Sequence, residues 1–208
     1  MRFHNSGGEL DATVRPRTFA QELATGLSAF DCLLNGEKAL YASAELTTGP
    51  RLYRLLREHG LRDAAELRRS LGEEEYHRRL WDLNFSEALA FARELRARHP
   101  TELVLSPAPY LIEGWTQPEY LTLWETVVRT RIKALYFSDG WEYSNGCAFE
   151  FSVAADAGIP TLDAAGRPLT RDEGVRRLEE AARALEAEGF DASGLLAARG
   201  RVAGRSAL

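Results

Sequence analysis

Three carboxylates lie close together in the segment LYFSDGWEYSNGCAFEFSVAADAGIPTLD, which covers residues 135–163. They are Asp139, Glu142 and Glu150, and they surround the junction between a polar loop and a helix of small residues. A carboxylate at such a junction is a solvated charge, a helix cap or a catalytic group. In the catalytic case, an ionised carboxylate is a nucleophile suited to attack on the anomeric carbon of a sugar.

The residues just before this helix favour a ligand at its start. Ser144 or Asn145 can cap the helix, and Gly146 allows a ligand to approach the backbone closely. Backbone amides at a helix start suit a phosphate or a carboxylate. Glu150 falls in the second helical turn, where the helix macrodipole is expected to favour its ionised form. The alternative from spacing alone is that Glu150 only interacts with the helix start.

Four apolar segments alternate with helical segments, and they set the fold that must position these residues. The predicted strands are KALYASAEL, ELVLSPAPYLIEG, KALYFSDGW and IPTLD. This order predicts an α/β fold with a mostly parallel, doubly wound sheet of flavodoxin-like or Rossmann-like type and helices on both faces. Ligands bind such sheets beyond the carboxyl ends of the strands. The loops after Tyr41, Leu105 and Phe137 are therefore predicted to surround one crevice.

Helical segments divide the chain further. An amphipathic helix is predicted in TFAQELATGLSAFDCLLNG, ending at Asn35-Gly36. The predicted organisation is an N-terminal extension with this helix at 1–35, an α/β domain at 36–190 and a C-terminal tail at 191–208. Residues 63–99 predict one broken helix or two, because they are rich in helix formers.

Length, charge and cysteine content limit the function classes. A chain of 208 residues can bury one sizeable core. The net charge of −5 argues against stable binding to nucleic acid, which requires neutralisation of phosphates. No apolar run is long enough for a membrane span, and the N-terminus lacks the apolar region of a signal peptide. The two cysteines have no metal-ligand spacing. Since two thiols are also too few for the disulfide framework of a secreted protein, we expect a soluble protein of the reducing cytoplasm.

The run from residue 134 to 162 resembles the nucleoside 2-deoxyribosyltransferase and nucleotide N-glycosidase family. The matching positions are Gly140-Trp141, Ser144, Gly146, Glu150 and the Gly-Ile-Pro at 158–160. The segment LYASAELTTGP resembles the family's first strand and the loop after it, with Tyr41 matching.

The chain departs from the family pattern at two places. Ser43 and Ala44 replace the Gly-Pro expected after the first strand, and Lys133 stands where family members usually have an aspartate. Glu125 either replaces an acid that handles the leaving base or is a solvated charge on a helix.

The resemblance implies cleavage or transfer of the N-glycosidic bond of a small-molecule nucleoside or nucleotide. It implies that Glu150 is the nucleophile, with Glu125 as a second catalytic candidate, and that neither a metal nor another cofactor is needed. It also implies a homo-oligomer, because small members of the family commonly complete their pockets with a neighbouring subunit. The residues assigned to substrate binding are Tyr41, Ser43, Asp139, Gly140, Trp141, Ser144, Asn145 and Gly146.

Two other functions remain open on the sequence. One is a glycohydrolase acting on a nucleoside monophosphate or on NAD, with the helix start as its phosphate site. The other is a catalytically silent nucleotide-binding sensor, which the changes at Ser43, Ala44 and Lys133 would favour. Among the tryptophans that could stack on a base, Trp141 is the candidate in the motif loop, and Trp115 and Trp124 are the others.

Overall fold

The structure is a computed structural model and describes residues 17–204. Its strands form one sheet in which all pairs are parallel, in the order β2-β1-β3-β4. The strands are β1 (Ala39–Ser43), β2 (Val104–Leu105), β3 (Ile132–Phe137) and β4 (Thr161–Leu162). The predicted α/β fold with a doubly wound parallel sheet is confirmed. Because the chain runs outward from β1 to β2 and then returns to β3, the loops after β1 and β3 diverge at the centre of the sheet.

Helices connect the strands and cover the sheet. A π-helical turn at His77–Trp81 joins the fourth helix to the fifth, and a short 3₁₀ turn at Trp141–Tyr143 follows β3. The α-helices are α1 (Phe19–Leu34), α2 (Pro50–His59), α3 (Ala64–Leu71), α4 (Glu73–Tyr76), α5 (Asp82–Arg98), α6 (Gln117–Arg131), α7 (Asn145–Ala157), α8 (Arg171–Ala187) and α9 (Ser193–Ala203).

The predicted N-terminal helix is present as α1 and ends where the sequence indicated. Asn35 adopts the left-handed conformation at φ 48°, which stops the helix after Leu34. Phe30 is buried, and its ring lies 5.8 Å from that of Trp124 on α6. An ion pair of 2.8 Å between Arg131 and Asp31 joins the same two helices. Helix α1 therefore packs onto the α/β domain. Residues 1–16 of the predicted extension lie outside the described range.

The two faces of the sheet bury different side chains, because successive residues of a strand point to opposite faces. Leu40 and Ala42 of β1 pack with Ala92 and Leu95 of α5. Tyr41 belongs to the other and larger core, with residues of α6 and α7. The face of β1 that carries Tyr41 and Ser43 is therefore turned towards the helix that carries Glu150.

Two segments show how tertiary packing refines the sequence prediction. Residues 63–99 form helix α3 and, after a break at Gly72, a helical run from α4 to α5, which is the two-helix alternative. Within the predicted C-terminal tail, Ser193–Ala203 form helix α9. Leu195, Ala198 and Val202 of α9 are buried, and the helix packs on α7 and α8. None of the helices in the described part of the chain has the length and apolar character needed to cross a membrane.

Candidate active site

The Glu150 carboxylate is buried at the centre of the candidate site. Helix α7 begins after Ser144, whose hydroxyl caps it by accepting a hydrogen bond of 3.4 Å from the Cys147 amide. Glu150 follows one turn after Cys147, and only 7% of its surface is exposed. A carboxylate with so little exposure requires hydrogen-bond donors from the protein.

Strand β1 supplies those donors. The Tyr41 hydroxyl donates to Oε1 of Glu150 at 2.6 Å, and the Ser43 hydroxyl donates to Oε2 at 2.5 Å. Tyr41 and Ser43 are two positions apart in a strand, so both side chains point to the same face of the sheet. Each carboxylate oxygen thus receives one hydroxyl, and these two bonds fix the orientation of the carboxylate.

Burial determines the charge state of this carboxylate. It raises the pKa of Glu150 from the usual 4.5 to about 7, although the hydrogen bonds from Ser43 and Tyr41 act in the opposite direction. Desolvation is therefore the dominant influence on the charge state, over any stabilisation of the ionised form by the helix dipole. Burial, followed by the charge of Glu150, raises the pKa of Tyr41 well above its usual value, so Tyr41 remains a donor. Near neutral pH, Glu150 exists both as carboxylate and as carboxylic acid.

A cavity of about 150 Å³ opens in front of Glu150. The loops after β1, β2 and β3 all contribute to its wall, so the prediction that they surround one crevice is confirmed. The residues that these connections supply are Ala44, Leu46 and Thr47 after β1, Pro107, Tyr110 and Leu111 after β2, and, after β3, Ser144 at the end of the loop and Gly146 in the first turn of α7.

The rest of the wall is largely aromatic. Trp124 of α6 lines the cavity, and its ring lies 5.5 Å from that of Tyr110 and 6.0 Å from that of Tyr41. Tyr120 also lines it, as does Trp81 from the π-helical turn. The cavity therefore combines flat apolar surfaces with one buried carboxylate, which suits a ligand with a planar ring beside a carbon open to attack.

Four residues predicted for substrate binding lie at the cavity or directly behind Glu150. Ser144 and Gly146 line the cavity with Glu150. Tyr41 and Ser43 are fully buried and bind the carboxylate, so their hydroxyls orient Glu150.

The motif tryptophan, Trp141, lies in the core. It is 1% exposed, and its ring lies 4.9 Å from both Phe137 and Phe151. Gly140 has φ +81°, and a Cβ there would lie 2.7 Å from Pro50, so this glycine shapes the loop. The base-stacking assignment therefore suits Trp124, which lines the cavity, better than Trp141. The third candidate, Trp115, packs against Phe19 of α1 at 5.2 Å.

Three other predicted site residues lie away from the cavity lining. Asp139 is exposed in a separate depression that contains Glu45. The Asn145 side chain lies against α9, where a Cβ on Gly194 would be 2.4 Å from its Oδ1. Glu125 forms an ion pair of 3.0 Å with Arg129 and lines a different pocket. The structure thus does not bring Glu125 to Glu150.

Only weak signals in the local sequence point to the aromatic wall. Tyr110 falls in a loop that the strand order already assigned to the crevice, so it could have been named. Trp81 and Tyr120 reach the cavity from helices, and no local pattern marks them. In residues 17–204, no group of three or more histidine, cysteine, aspartate or glutamate residues is arranged to hold a metal ion.

In comparisons with protein-family models, curated proteins and solved structures, none matches this chain.

Proposed function

We propose that this protein cleaves or transfers the N-glycosidic bond of a nucleoside or nucleotide, with Glu150 as the nucleophile. The observation that carries the proposal is the buried Glu150 carboxylate, oriented by Tyr41 and Ser43 at the wall of an aromatic cavity. The resemblance of residues 134–162 to the nucleoside 2-deoxyribosyltransferase family supports the same reaction.

In the proposed reaction, an oxygen of ionised Glu150 attacks the anomeric carbon. A C–O ester bond forms as the C–N bond breaks, and the base nitrogen leaves with the bonding electron pair. The base then takes a proton from water. Water or a second base attacks the same carbon and releases Glu150, giving hydrolysis or transfer.

The environment of Glu150 suits this cycle. A carboxylate with a pKa of about 7 is a more basic nucleophile than an exposed one and is still ionised in a large fraction of molecules at neutral pH. The hydrogen bonds from Tyr41 and Ser43 hold it in one orientation, which reduces the entropy lost on reaching the reactive geometry.

The test is base release from a panel of nucleosides, nucleoside monophosphates and NAD, followed by chromatography. We expect the wild-type protein to release base from at least one of them, and Glu150→Gln to abolish the reaction with the fold retained. Glu142→Gln is the matched control, since Glu142 lies in the 3₁₀ turn shortly before α7 and is not among the lining residues. If Glu150→Gln kept wild-type turnover, the assignment of the nucleophile would be wrong.

A nucleotide-binding sensor is the second candidate. Both oxygens of Glu150 accept hydroxyl hydrogen bonds, and Ser43, one of the donors, belongs to the departure from the family pattern. These bonds reduce the electron density available for attack. Ligand binding without base release in the same panel would favour the sensor.

The proposal extends to self-association and to the cytoplasm. The family resemblance supports a homo-oligomer that completes the pocket, and light scattering at micromolar concentrations tests it. A monomer under those conditions would contradict this part of the proposal.

A further inference from the structure

The hydrogen bonds at the start of helix α7 and the charges around the cavity limit which glycosides can bind next to Glu150. We infer that the site takes an uncharged N-glycoside with a planar aglycone and discriminates against the corresponding 5′-phosphate. This inference rests on the proposed function for its reaction, but it concerns binding and can be tested separately.

The first observation is that the helix start has few donors left for a phosphate. The Asn145 amide donates to the Thr48 hydroxyl at 3.0 Å, and the Cys147 amide donates to the Ser144 hydroxyl at 3.4 Å. Of the first three amides of α7, at most that of Gly146 is left to a ligand. Phosphate sites at helix starts depend on several converging amides. The helix start therefore lacks most of the free amide donors that the sequence-based prediction of a phosphate site requires.

The second observation is the charge of the cavity. No arginine, lysine or histidine is present among its lining residues in the described part of the chain, whereas Glu150 supplies a carboxylate. A phosphate dianion would leave water for a site without a compensating cation and with a negative charge beside it, which is unfavourable.

The third observation is an acidic depression next to the cavity. The two share Ala44, and the depression is lined by Glu45, Glu87 and Asp139. The nearby guanidinium of Arg51 is held by Glu87 and by a 2.8 Å hydrogen bond to Asn84. A phosphate extending from the cavity towards this side would meet further negative charge, and such like-charge contact disfavours the wrong ligand.

The aromatic wall supplies the attraction for an uncharged ligand. Trp81, Tyr110, Tyr120 and Trp124 line the cavity, and a planar heterocycle gains by stacking on aromatic rings without any charge. Hydroxyl groups of a sugar can exchange hydrogen bonds with Thr47 and Ser144 on the same wall. The cavity thus offers contacts to the base and the sugar of a nucleoside and, among the described residues that line it, no cationic side chain for a phosphate.

Equilibrium binding to Glu150→Gln tests this inference without turnover. Adenosine, guanosine, cytidine, uridine and their 2′-deoxy forms are titrated in parallel with their 5′-monophosphates by calorimetry. We expect at least one nucleoside to bind about tenfold or more tightly than its monophosphate. The variant lacks the Glu150 charge, so the preference measured in it is a lower bound. Equal or tighter binding of the monophosphates, or no binding of any nucleoside, would overturn the inference.

A charge added at the cavity checks the electrostatic origin of the preference. Gln117 is exposed and lines the cavity, so Gln117→Arg is expected to fold and to raise monophosphate affinity several-fold, with a smaller gain at high salt. Gln117→Glu is the matched opposite change, and an unchanged ratio in both variants would contradict an electrostatic cause.

Base release by the wild-type protein separates the two proposals. Release from monophosphates in preference to nucleosides would overturn this inference and leave the proposed reaction standing. Nucleoside binding without any release would overturn the reaction and support the inference.

Discussion

The Tyr41 hydroxyl lies 2.6 Å from Oε1 of Glu150, although the two residues are 109 positions apart in the chain. This bond links the central strand β1 to helix α7, and the Ser43 hydroxyl makes the parallel link to Oε2. The position of the carboxylate is therefore set by the sheet as well as by its own helix. Changes in β1 should alter the chemistry of Glu150 without touching the cavity wall.

Tyr41→Phe is expected to move the pH dependence of base release. If ionised Glu150 is the nucleophile, activity rises with pH through its pKa of about 7. Removing the Tyr41 hydroxyl takes one hydrogen bond from the ionised form, so the pKa of Glu150 rises further and the rising limb of kcat/KM moves up by about one pH unit. The measurement is kcat/KM against pH for both proteins.

Tyr53→Phe is the control for Tyr41→Phe, since Tyr53 is a buried tyrosine whose ring packs 5.4 Å from Phe190. Tyr53→Phe should leave the rising limb of the kcat/KM profile at the wild-type pH. If the rising limb also stayed at the wild-type pH in Tyr41→Phe, the Tyr41 hydroxyl would not stabilise the ionised carboxylate.

Glu150→Gln is expected to change how stability depends on pH. Because the pKa of Glu150 is raised on folding from 4.5 to about 7, the folded state holds this proton more tightly than the unfolded state. The contribution of this proton to the free energy of unfolding is fully present below about pH 4.5 and is lost as the pH rises to about 7. Above that pH, Glu150 causes no further change in stability. The difference between the two pKa values corresponds to about 3 kcal/mol as an upper figure.

Urea unfolding of wild type and Glu150→Gln at about pH 5 and about pH 8 measures this effect. Relative to the variant, the wild-type protein should lose free energy of unfolding between the two pH values. Other titrating groups cancel in the comparison, and Glu142→Gln provides a variant in which the wild-type pH dependence should persist. A wild-type-minus-Glu150→Gln difference that does not vary with pH would mean that Glu150 titrates normally.

The architecture could be predicted from the sequence because the patterns that indicate its strands and helix ends are local. Strand β3 is marked by an apolar run that gives way to a polar loop containing glycine. Asn35-Gly36 marks the end of α1 through a backbone conformation that few residues adopt. The burial of Glu150 was harder to predict from the sequence. It depends on the alignment of α7 over Tyr41 and Ser43, which a helical pattern alone does not specify.

The cavity wall could be predicted only in part. The strand order assigned three loops to the crevice, and Ser144 and Gly146 lie there because the loop after β3 leads directly into the start of α7. Trp141 was chosen for its place in the motif loop, but the preceding left-handed Gly140 turns the chain so that the ring enters the core. Trp81 and Trp124 reach the cavity through helix packing, which has no signature in the local sequence.

Trp124→Phe is expected to weaken ligand binding. Because Trp124 is also a core residue, only 6% exposed, the change should lower the free energy of unfolding as well, by about 1–3 kcal/mol. Trp124 lines the cavity, and the smaller ring offers less surface for stacking, so the Kd of the best nucleoside should rise about two- to tenfold. Calorimetry in the Glu150→Gln background measures this change. Trp141→Phe is the matched control, because it should lower the free energy of unfolding by about 1–3 kcal/mol and leave the Kd unchanged. A raised Kd in Trp141→Phe together with an unchanged Kd in Trp124→Phe would assign the stacking role to Trp141.

Glu125→Gln is expected to leave base release near the wild-type rate. The Glu125 carboxylate lies 3.0 Å from the Arg129 guanidinium, which also lies 2.8 Å from Asp156, and this surface network lines a pocket other than that of Glu150. The side chain of Glu125 is 39% exposed, so the ion pair is screened by solvent and its loss should cost about 0–1 kcal/mol of stability.

The comparison that decides the role of Glu125 is kcat/KM on the best substrate for the wild type, Glu125→Gln and Arg129→Gln. If Glu125 only stabilises the helix surface, both variants should stay within about twofold of wild type, because each removes one partner of the same exposed pair. If Glu125 protonates the leaving base, Glu125→Gln alone should lower kcat by about a hundredfold or more. Such a loss would require Glu125 to approach Glu150 in the working enzyme, against the separation of the two carboxylates between different pockets.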